Sequence, residues 1–214
     1  MSGKINFQEK FWGYRYILKS FQDQYKFGSS ADLGISASYK FSNLISADAI
    51  IVNGEGYKKI QKNNGLNYGL GVTLTPLKGF QIRLYGGLNE SDEDNKKNIT
   101  TMAAFMGYKC DKFTIGAEYN YLMNASFKDD CDQKGYSIFA SVNLSKETSI
   151  YARFDDLYSK NNWNYANDES TAILGAQFKL GKYVKIAPNF RVSMPKLDGS
   201  KESYSAFINC YFGF

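Results

Sequence analysis

Strict alternation of apolar and polar side chains is the feature that most constrains this chain. It recurs in eleven runs of roughly ten residues from position 31 onward, and every even position from Tyr136 to Leu144, for instance, is apolar. A period of two is the signature of a β-strand with one face in an apolar environment. The predicted strands are 31–41, 44–53, 67–75, 80–88, 99–108, 113–123, 136–144, 148–158, 172–180, 184–194 and 204–214.

The connections between these runs alternate between short turns and long polar loops. Short turns at one end and long loops at the other are typical of outer-membrane barrels, with periplasmic turns and extracellular loops. Eleven strands cannot close with every pair antiparallel, so residues 4–17 are predicted to supply one more ascending strand. Residues 18–30 would then form the first extracellular loop, which could fold into the lumen. We therefore predict an all-β fold, a transmembrane antiparallel up-and-down β-barrel of about 12 strands, with residues 1–214 as a single domain or as the C-terminal portion of a longer barrel.

Alternation alone does not say which face is outside, and a soluble barrel or sandwich would point its apolar face inward. Many small residues on the polar face favour the membrane alternative, as do aromatic residues near the strand ends, where a membrane barrel carries its interfacial girdle. No stretch approaches about 18 consecutive apolar residues. Residues 1–20 lack an apolar core and a small-residue cleavage site, so we expect no secretory signal within them.

Composition excludes several classes of function. The chain contains no histidine, which rules out Ser-His-Asp triads, HExxH metal sites and imidazole acid–base catalysis. We predict no enzyme, no catalytic residue and no cofactor. The net charge of +5 comes without the basic block that a nucleic-acid partner requires. Loops 90–94 and 129–132 carry clustered carboxylates that could bind a hard cation, but solvated acidic loops are the favoured interpretation, and we expect no metal site.

The polar face supplies the candidate lumen charges, of which six are basic and three acidic. Rings of charged side chains set pore selectivity, so this excess favours a mild preference for anions. The alternative is that the charges form salt bridges that brace or fill a narrow barrel. Lys40 lies near a turn, where it could be only a rim charge. The candidates for solute contact are Arg83, Arg153, Arg191, Glu118, Asp48, Lys40, Arg15 and Lys19.

Arg15 and Lys19 belong to an aromatic–basic cluster near the N-terminus, together with Trp12, Tyr14 and Tyr16. Such a cluster could form a constriction that grips anions or sugars. Ordinary strand and loop packing is the simpler explanation, and we favour it.

The stretch EKFWGYRYILKSFQDQYKFGSSADLGISASYKF resembles porin-like outer-membrane proteins of the Bacteroidetes, grouped near the phosphate-selective porin O/P family. NGEGYKK, LGVTLTPLKGF and VKIAPNFR are similar to later strands of that family, in the C-terminal part of its longer members. The resemblance implies an outer-membrane location and diffusion of small solutes. The lysine and arginine ladder that the phosphate label implies is not obvious here.

The predicted function is that of an outer-membrane porin or channel for passive diffusion of small hydrophilic solutes, anions included. Its partners would be the lipid bilayer and those solutes. The alternative is a non-conducting outer-membrane barrel that serves as an anchor, adhesin or accessory subunit through its extracellular loops.

Overall fold

A single antiparallel sheet dominates the molecule. The computed structural model describes residues 6–28, 32–54 and 65–213. Within them, eleven strands follow one another in sequence order across the sheet, and every neighbouring pair is antiparallel. The strands are β1 (Gly34–Lys40), β2 (Ile45–Val52), β3 (Asn67–Leu77), β4 (Phe80–Asn89), β5 (Ile99–Lys109), β6 (Phe113–Met123), β7 (Gln133–Asn143), β8 (Thr148–Ser159), β9 (Glu169–Leu180), β10 (Val184–Pro195) and β11 (Ser203–Phe212).

All eleven strands predicted from the alternation are confirmed, as is the alternation of short turns with long loops. The two faces of the sheet also differ as a membrane barrel requires. Leu84 on β4 is 59% exposed on the outer face, whereas its neighbour Arg83 is 5% exposed on the inner face. The apolar face therefore points outward, and a bilayer is the environment in which such a surface is stable.

The predicted twelfth strand in residues 4–17 is wrong. Residues Asn6–Trp12 form helix α1 instead, while residues 4 and 5 lie outside the described part of the chain. Gln8, Phe11 and Trp12 are buried together, a spacing of three and four residues that matches a helix and not a strand. Gly13 ends the helix with φ +73°, and its amide N–H donates to the Glu9 carbonyl at 2.8 Å, because glycine adopts this left-handed conformation without steric cost.

Residues 6–28, here called the N-terminal segment, lie along the inner face of the sheet. The segment contains α1 and the short helix α2 (Phe21–Gln24). Near the short turns, the Lys10 carbonyl accepts a hydrogen bond from Lys109 Nζ at 3.4 Å. Near the long loops, the Tyr25 carbonyl accepts one from Gln133 Nε2 at 3.3 Å. Residues 18–28, the described part of the predicted loop 18–30, thus lie against the inner face of the sheet, although α1 replaces the strand that was predicted to precede this loop.

Two apolar clusters attach the segment to the sheet. One joins α1 and the following turn to aromatic and aliphatic residues of β5 to β10, and the other joins α2 and its C-terminal side to β6 and β8. The first contains Phe11, Trp12, Tyr14, Ile17, Phe105, Phe139, Tyr151, Ile173 and Ala187. The second contains Phe21, Phe27, Leu122, Ala125 and Leu157. The inner face is therefore not purely polar.

The outermost strands of the described sheet are β1 and β11, which do not pair with each other. Pairing of β10 with β9 skips Ala187 and Pro188 without a change of register, because proline cannot donate to the ladder. A register shift between β3 and β4 lies at Leu74 to Leu77. None of the helices in the described ranges is long and apolar enough to cross a membrane.

Candidate functional site on the inner face

Arg83 and Asp48 form a bidentate ion pair on the inner face. Arg83 donates to the two carboxylate oxygens at 2.5 and 2.8 Å and to Thr73 Oγ1 at 3.0 Å. Three adjacent strands, β2, β3 and β4, hold these residues, because the register places Thr73 opposite Arg83 and Gly71 opposite Asp48. Gly71 leaves the room that the guanidinium occupies, since a Cβ there would lie 2.3 Å from Arg83 Nη2.

Arg153 is engaged both by a carboxylate and by the N-terminal segment. Its Nε and Nη2 donate to Asp155 at 2.8 and 2.6 Å, and its Nη1 donates to the Lys19 carbonyl at 2.6 Å. The guanidinium also lies 5.2 Å from the centre of the Trp12 ring. Both partners of the ion pair are almost fully buried, so this arginine stabilises the docked segment.

Arg191 differs from the other two inner-face arginines because no carboxylate of the described residues lies within salt-bridge distance of it. Its Nε donates to Asn189 Oδ1 at 2.8 Å, and its Nη2 donates to the Ile17 carbonyl at 2.9 Å and to Asn209 Oδ1 at 3.2 Å. The guanidinium lies 4.3 Å from the centre of the Phe207 ring. These contacts hold a positive charge in place without neutralising it.

Glu118 sits deep beneath the segment. It is 4% exposed and accepts a hydrogen bond from Asn120 Nδ2 at 3.1 Å. Asn120 in turn accepts one from Gln22 Nε2 at 2.6 Å. This chain of polar contacts connects β6 to α2, which gives Glu118 a structural role in the docked state.

The remaining predicted site residues are exposed to different degrees and lie elsewhere. Lys40 donates to Asn43 at 2.9 Å in the first turn, which places it at the rim of the sheet. Arg15 pairs with Glu9 and, at 2.8 Å, with Asp23. Lys19 lies 3.9 Å from Asp23. The aromatic neighbours of these two residues pack against the sheet, as the packing alternative predicts.

The acidic loops are balanced by lysines. Asp129 lies 3.7 Å from Lys97, and Asp130 lies 2.8 Å from Lys160. The hydrogen bond and positive charge of Lys160 hold the pKa of Asp130 below its ordinary value. The described ranges contain no group of three or more side chains placed to bind a metal ion.

A cavity of about 240 Å³ lies between the N-terminal segment and strands β8 to β11. Below, it is called the lumenal cavity. Its charged members are Arg153, Asp155, Glu169 and Arg191. Glu169 was not among the predicted site residues because it precedes the run 172–180 and was assigned to a loop. Extending β9 to Glu169 by pairing with Pro195 is what brings its carboxylate to the inner face.

Tyr25 forms part of the cavity wall on the segment side. Its hydroxyl group lies 3.2 Å from Glu169 Oε1 and 3.3 Å from Thr171 Oγ1. No local pattern of the sequence signals this contact, because it joins residues more than 140 positions apart.

Comparison with known proteins agrees with this architecture. Residues 19–162, well over half of the 214, match the family of Gram-negative porins. Among curated proteins, none matches the sequence.

Three solved structures illustrate the shared fold. A porin aligns with a TM-score of 0.63 and 14% identity, over 86% of this chain and 62% of its own. The outer membrane channel DcaP of Acinetobacter baumannii aligns with a TM-score of 0.67 and 10% identity, over 86% of this chain and 64% of its own. OmpT of Vibrio cholerae aligns with a TM-score of 0.56 and 13% identity, over 85% and 64%.

At these identities the structures show a common fold and nothing finer, and this chain spans less than two thirds of the length of each. The family match, the outward apolar face and the polar groups on the inner face agree with one another. The chain belongs to the Gram-negative porins and is a β-barrel protein of the bacterial outer membrane.

Proposed function

We propose that this protein is a channel for passive diffusion of small hydrophilic solutes, and that its N-terminal segment narrows the passage. The observation that carries the proposal is the lumenal cavity, which runs between the segment and a wall of charged and hydroxyl side chains. Polar lining of this kind lowers the cost of moving a hydrated solute through a low-dielectric membrane.

Reconstitution into planar bilayers tests the proposal. The protein with its barrel closed should give discrete conductance steps, and a variant of it lacking residues 6–28 should give larger ones. Silent bilayers for both proteins, with folding verified by heat modifiability on unheated gels, would contradict the channel.

We infer at most a weak preference for anions. Among the inner-face arginines, Arg83 and Arg153 are each neutralised by a carboxylate. The reversal potential in a salt gradient measures this preference, and a strong anion selectivity would argue against the inference. The likeness to phosphate-selective porins remains a prediction. The ion pairs of Arg83 and Arg153 argue against phosphate selectivity, because neutralised arginines offer little charge to a phosphate.

A second candidate is a non-conducting barrel that acts as an anchor, adhesin or accessory subunit. The observation that favours it is the extent of packing between the segment and β5 to β10. The same deletion distinguishes the two. If the intact chain is silent and the variant lacking residues 6–28 conducts, the segment is a permanent plug and this second candidate is supported.

We further propose that the barrel is closed by an odd number of additional antiparallel strands. An open sheet edge is not viable in lipid, because its backbone groups would lack hydrogen-bond partners. In an eleven-stranded antiparallel meander, β1 and β11 run in the same direction, so they cannot pair antiparallel with each other. A second copy of the chain in the same membrane orientation cannot close the barrel either, because its edge strands run in the same direction as β1 and β11.

Cysteine cross-linking tests the closure. In a background in which the three native cysteines are replaced by serine, Ser36→Cys on β1 and Ser205→Cys on β11 should remain reduced under mild oxidation. Efficient formation of an intramolecular disulfide would mean that the two edges pair directly, and would overturn this part of the proposal. As a positive control, a pair of directly opposed, non-hydrogen-bonded positions on β10 and β11 should cross-link.

A further inference from the structure

Two opposite charges face the lumenal cavity without an ionic partner among the described residues. They are Arg191 on β10 and Glu169 on β9. The other two charged residues of the cavity, Arg153 and Asp155, neutralise each other. The cavity is therefore neutral as a whole and carries two separate charges of opposite sign.

Arg191 is held rigidly enough to act as a recognition group. Its Nε and Nη2 are engaged by Asn189, Asn209 and the Ile17 carbonyl, and the Phe207 ring supports the guanidinium plane. These contacts use Nε and Nη2, and Nη1 donates to no acceptor among the described residues. A guanidinium fixed by neutral groups keeps its charge available, and the two N–H groups of Nη1 remain to donate to the carboxylate of a ligand.

Glu169 is likewise positioned by neutral donors. Ser193 Oγ donates to its Oε2 at 2.6 Å, and the Tyr25 hydroxyl lies 3.2 Å from its Oε1. An ionised carboxylate accepts about four hydrogen bonds, so these two contacts leave capacity for a ligand. An ammonium group is the ligand that adds both hydrogen bonds and opposite charge.

The strand register gives the approximate spacing of the two charges along the cavity wall. Although Glu169 lies opposite Pro195 in the register, its carboxylate reaches Ser193, which is two residues from Arg191. Two residues of a strand span roughly 7 Å, and Arg191 extends away from Ser193 toward Asn189 and Asn209, so this value is a lower bound for the distance between the two charges. This distance can be bridged by a molecule whose ammonium and carboxylate groups are a few bonds apart. Its ammonium would be hydrogen-bonded to Glu169 and its carboxylate to Arg191.

We propose that the lumenal cavity binds small zwitterionic solutes of the size of an amino acid or a dipeptide, with the carboxylate at Arg191 and the ammonium at Glu169. Hydroxyl groups of Thr171, Ser203 and Ser205 line the same cavity and satisfy further polar groups of the solute. A solute of single charge satisfies only one end and leaves the other unpaired. This inference deepens the proposed channel function, because it specifies which solutes the passage retains.

Isothermal titration of the folded full-length protein in detergent tests the site with three probes. Glycylglycine carries both charges, N-acetylglycine only the carboxylate, and glycinamide only the ammonium. We expect glycylglycine to bind roughly ten-fold more tightly than either analogue, as one added charge-assisted hydrogen bond contributes. Equal affinity for all three, or no binding of glycylglycine, would overturn the proposal.

Two neutralising variants assign the ends. Arg191→Gln should weaken glycylglycine and N-acetylglycine by roughly ten-fold and leave glycinamide unchanged, while Glu169→Gln should weaken glycylglycine and glycinamide and spare N-acetylglycine. The exposed turn residues Lys182 and Glu147 provide matched controls as Lys182→Gln and Glu147→Gln, which should bind like the native protein. Parallel loss of all three probes in both variants would overturn the assignment.

Arg191 also contacts the N-terminal segment, so a second substitution separates binding from docking. Arg191→Lys retains the positive charge, so it should bind N-acetylglycine more tightly than Arg191→Gln does. Equal loss of N-acetylglycine binding in the two variants would refute a role of the charge. Failure of the channel is detected separately. Conductance without zwitterion binding overturns this inference alone, whereas binding by a folded but silent barrel supports the site and overturns the channel.

Discussion

The two halves of the inner face are built from the same strand pattern but behave differently. On β1 to β4, called here the polar half, the inner face carries the Asp48–Arg83 pair beside Thr73 and the small residues Gly69 and Gly71. Its buried apolar residues, Ile50, Val52 and Tyr85, lie outside the two clusters that hold the N-terminal segment. On β5 to β9, called the covered half, the inner face presents apolar side chains that pack against the N-terminal segment. These are Phe105, Leu122, Phe139, Tyr151, Leu157 and Ile173.

The difference teaches that inward does not mean hydrated. An inward residue of a membrane barrel is part of a channel wall if it faces water. It is part of a protein core if another segment covers it. The covered half follows the packing rules of a soluble protein interior, whereas in the polar half an ion pair between Asp48 and Arg83 joins strands β2 and β4.

Removal of residues 6–28 should have the largest effect, because it converts the covered half into a second channel wall. Single-channel conductance should rise severalfold, and the apolar surface left behind should bind a hydrophobic dye that the native protein excludes. Native-like conductance in the shortened protein would mean that the segment does not obstruct the passage.

Trp12→Ala should weaken the packing of the N-terminal segment against the sheet without removing the segment. Trp12 is 2% exposed and packs its ring against Phe139 and Tyr151 at centroid distances of 5.5 and 5.9 Å. Truncation should cost about 3 kcal/mol of docking free energy. Lys10 and Lys19 are already exposed, but trypsin also needs an extended backbone, which the released segment offers, so cleavage within the segment should accelerate.

Tyr39→Ala is the matched control for this substitution, because Tyr39 is an exposed aromatic residue of the outer face, on β1. It should leave trypsin cleavage of the segment unchanged. Equal cleavage rates in the two variants would show that Trp12 does not anchor the segment.

Gly107→Ala should weaken docking from the sheet side. A Cβ at this position would lie 2.6 Å from the Phe105 ring and 2.9 Å from the Phe11 ring, and overpacking of this kind costs roughly 1–3 kcal/mol. Gly86→Ala is the control, since a Cβ there meets nothing within 4 Å. The midpoint of denaturant unfolding and the trypsin assay should both distinguish the two variants, and a neutral Gly107→Ala would refute the tight fit.

Asp48→Asn probes the polar half and should leave docking intact. It removes the negative charge of Asp48 beside Arg83, which makes this part of the inner face more positive by one unit. The reversal potential should shift toward anions, while trypsin resistance of the segment stays native. An unchanged reversal potential would place this pair outside the conducting path.

Alkaline pH should produce the smallest and most gradual effect, confined to the covered half. Burial raises the pKa of Tyr16 and of Tyr25 above the ordinary value of 10.0, with Asp155 adding to the effect at Tyr25. A raised pKa means that the docked state holds its proton more tightly than the released state. Docking stability is therefore complete below about pH 10 and declines as the pH rises beyond it.

The trypsin assay measured between pH 8 and 11 follows this decline, after correction for the pH dependence of the protease with a free peptide. Tyr16→Phe and Tyr25→Phe, combined, should flatten the profile, since phenylalanine has no proton to lose. A profile that the double variant does not change would assign the alkaline sensitivity to other groups.

Much of the sheet could be predicted because its information is local. The strand ending at Leu144, for example, needs only a two-residue period and a following turn to be recognised. The prediction failed at residues 4–17 for an equally physical reason. Trp12, Tyr14 and Tyr16 alternate with other residues as a strand would, yet Gln8, Phe11 and Trp12 repeat with the period of a helix, and a short aromatic stretch satisfies both patterns.

In the candidate site, too, some features could be predicted from the sequence and others could not. Arg83, Arg153 and Arg191 lie on the inner face, as expected because alternation assigns each side chain to a face, and their contact with a solute stays a prediction. Their different roles were not predictable from the sequence, because a carboxylate on another strand decides whether each arginine is neutralised. Asp48 reaches Arg83 across an intervening strand, whereas Asn189, Asn209 and Ile17 engage Arg191.

By itself, the sequence determined the strands, their order, the alternation of turns and loops, and the two faces of the sheet, because each depends on a period or a spacing along the chain. Only the tertiary structure decided that the N-terminal segment is an insert and not a strand, and that Glu169 and Arg191 share a cavity. Those features depend on contacts between residues distant in the chain, such as the 144 positions between Tyr25 and Glu169, and no local pattern encodes them.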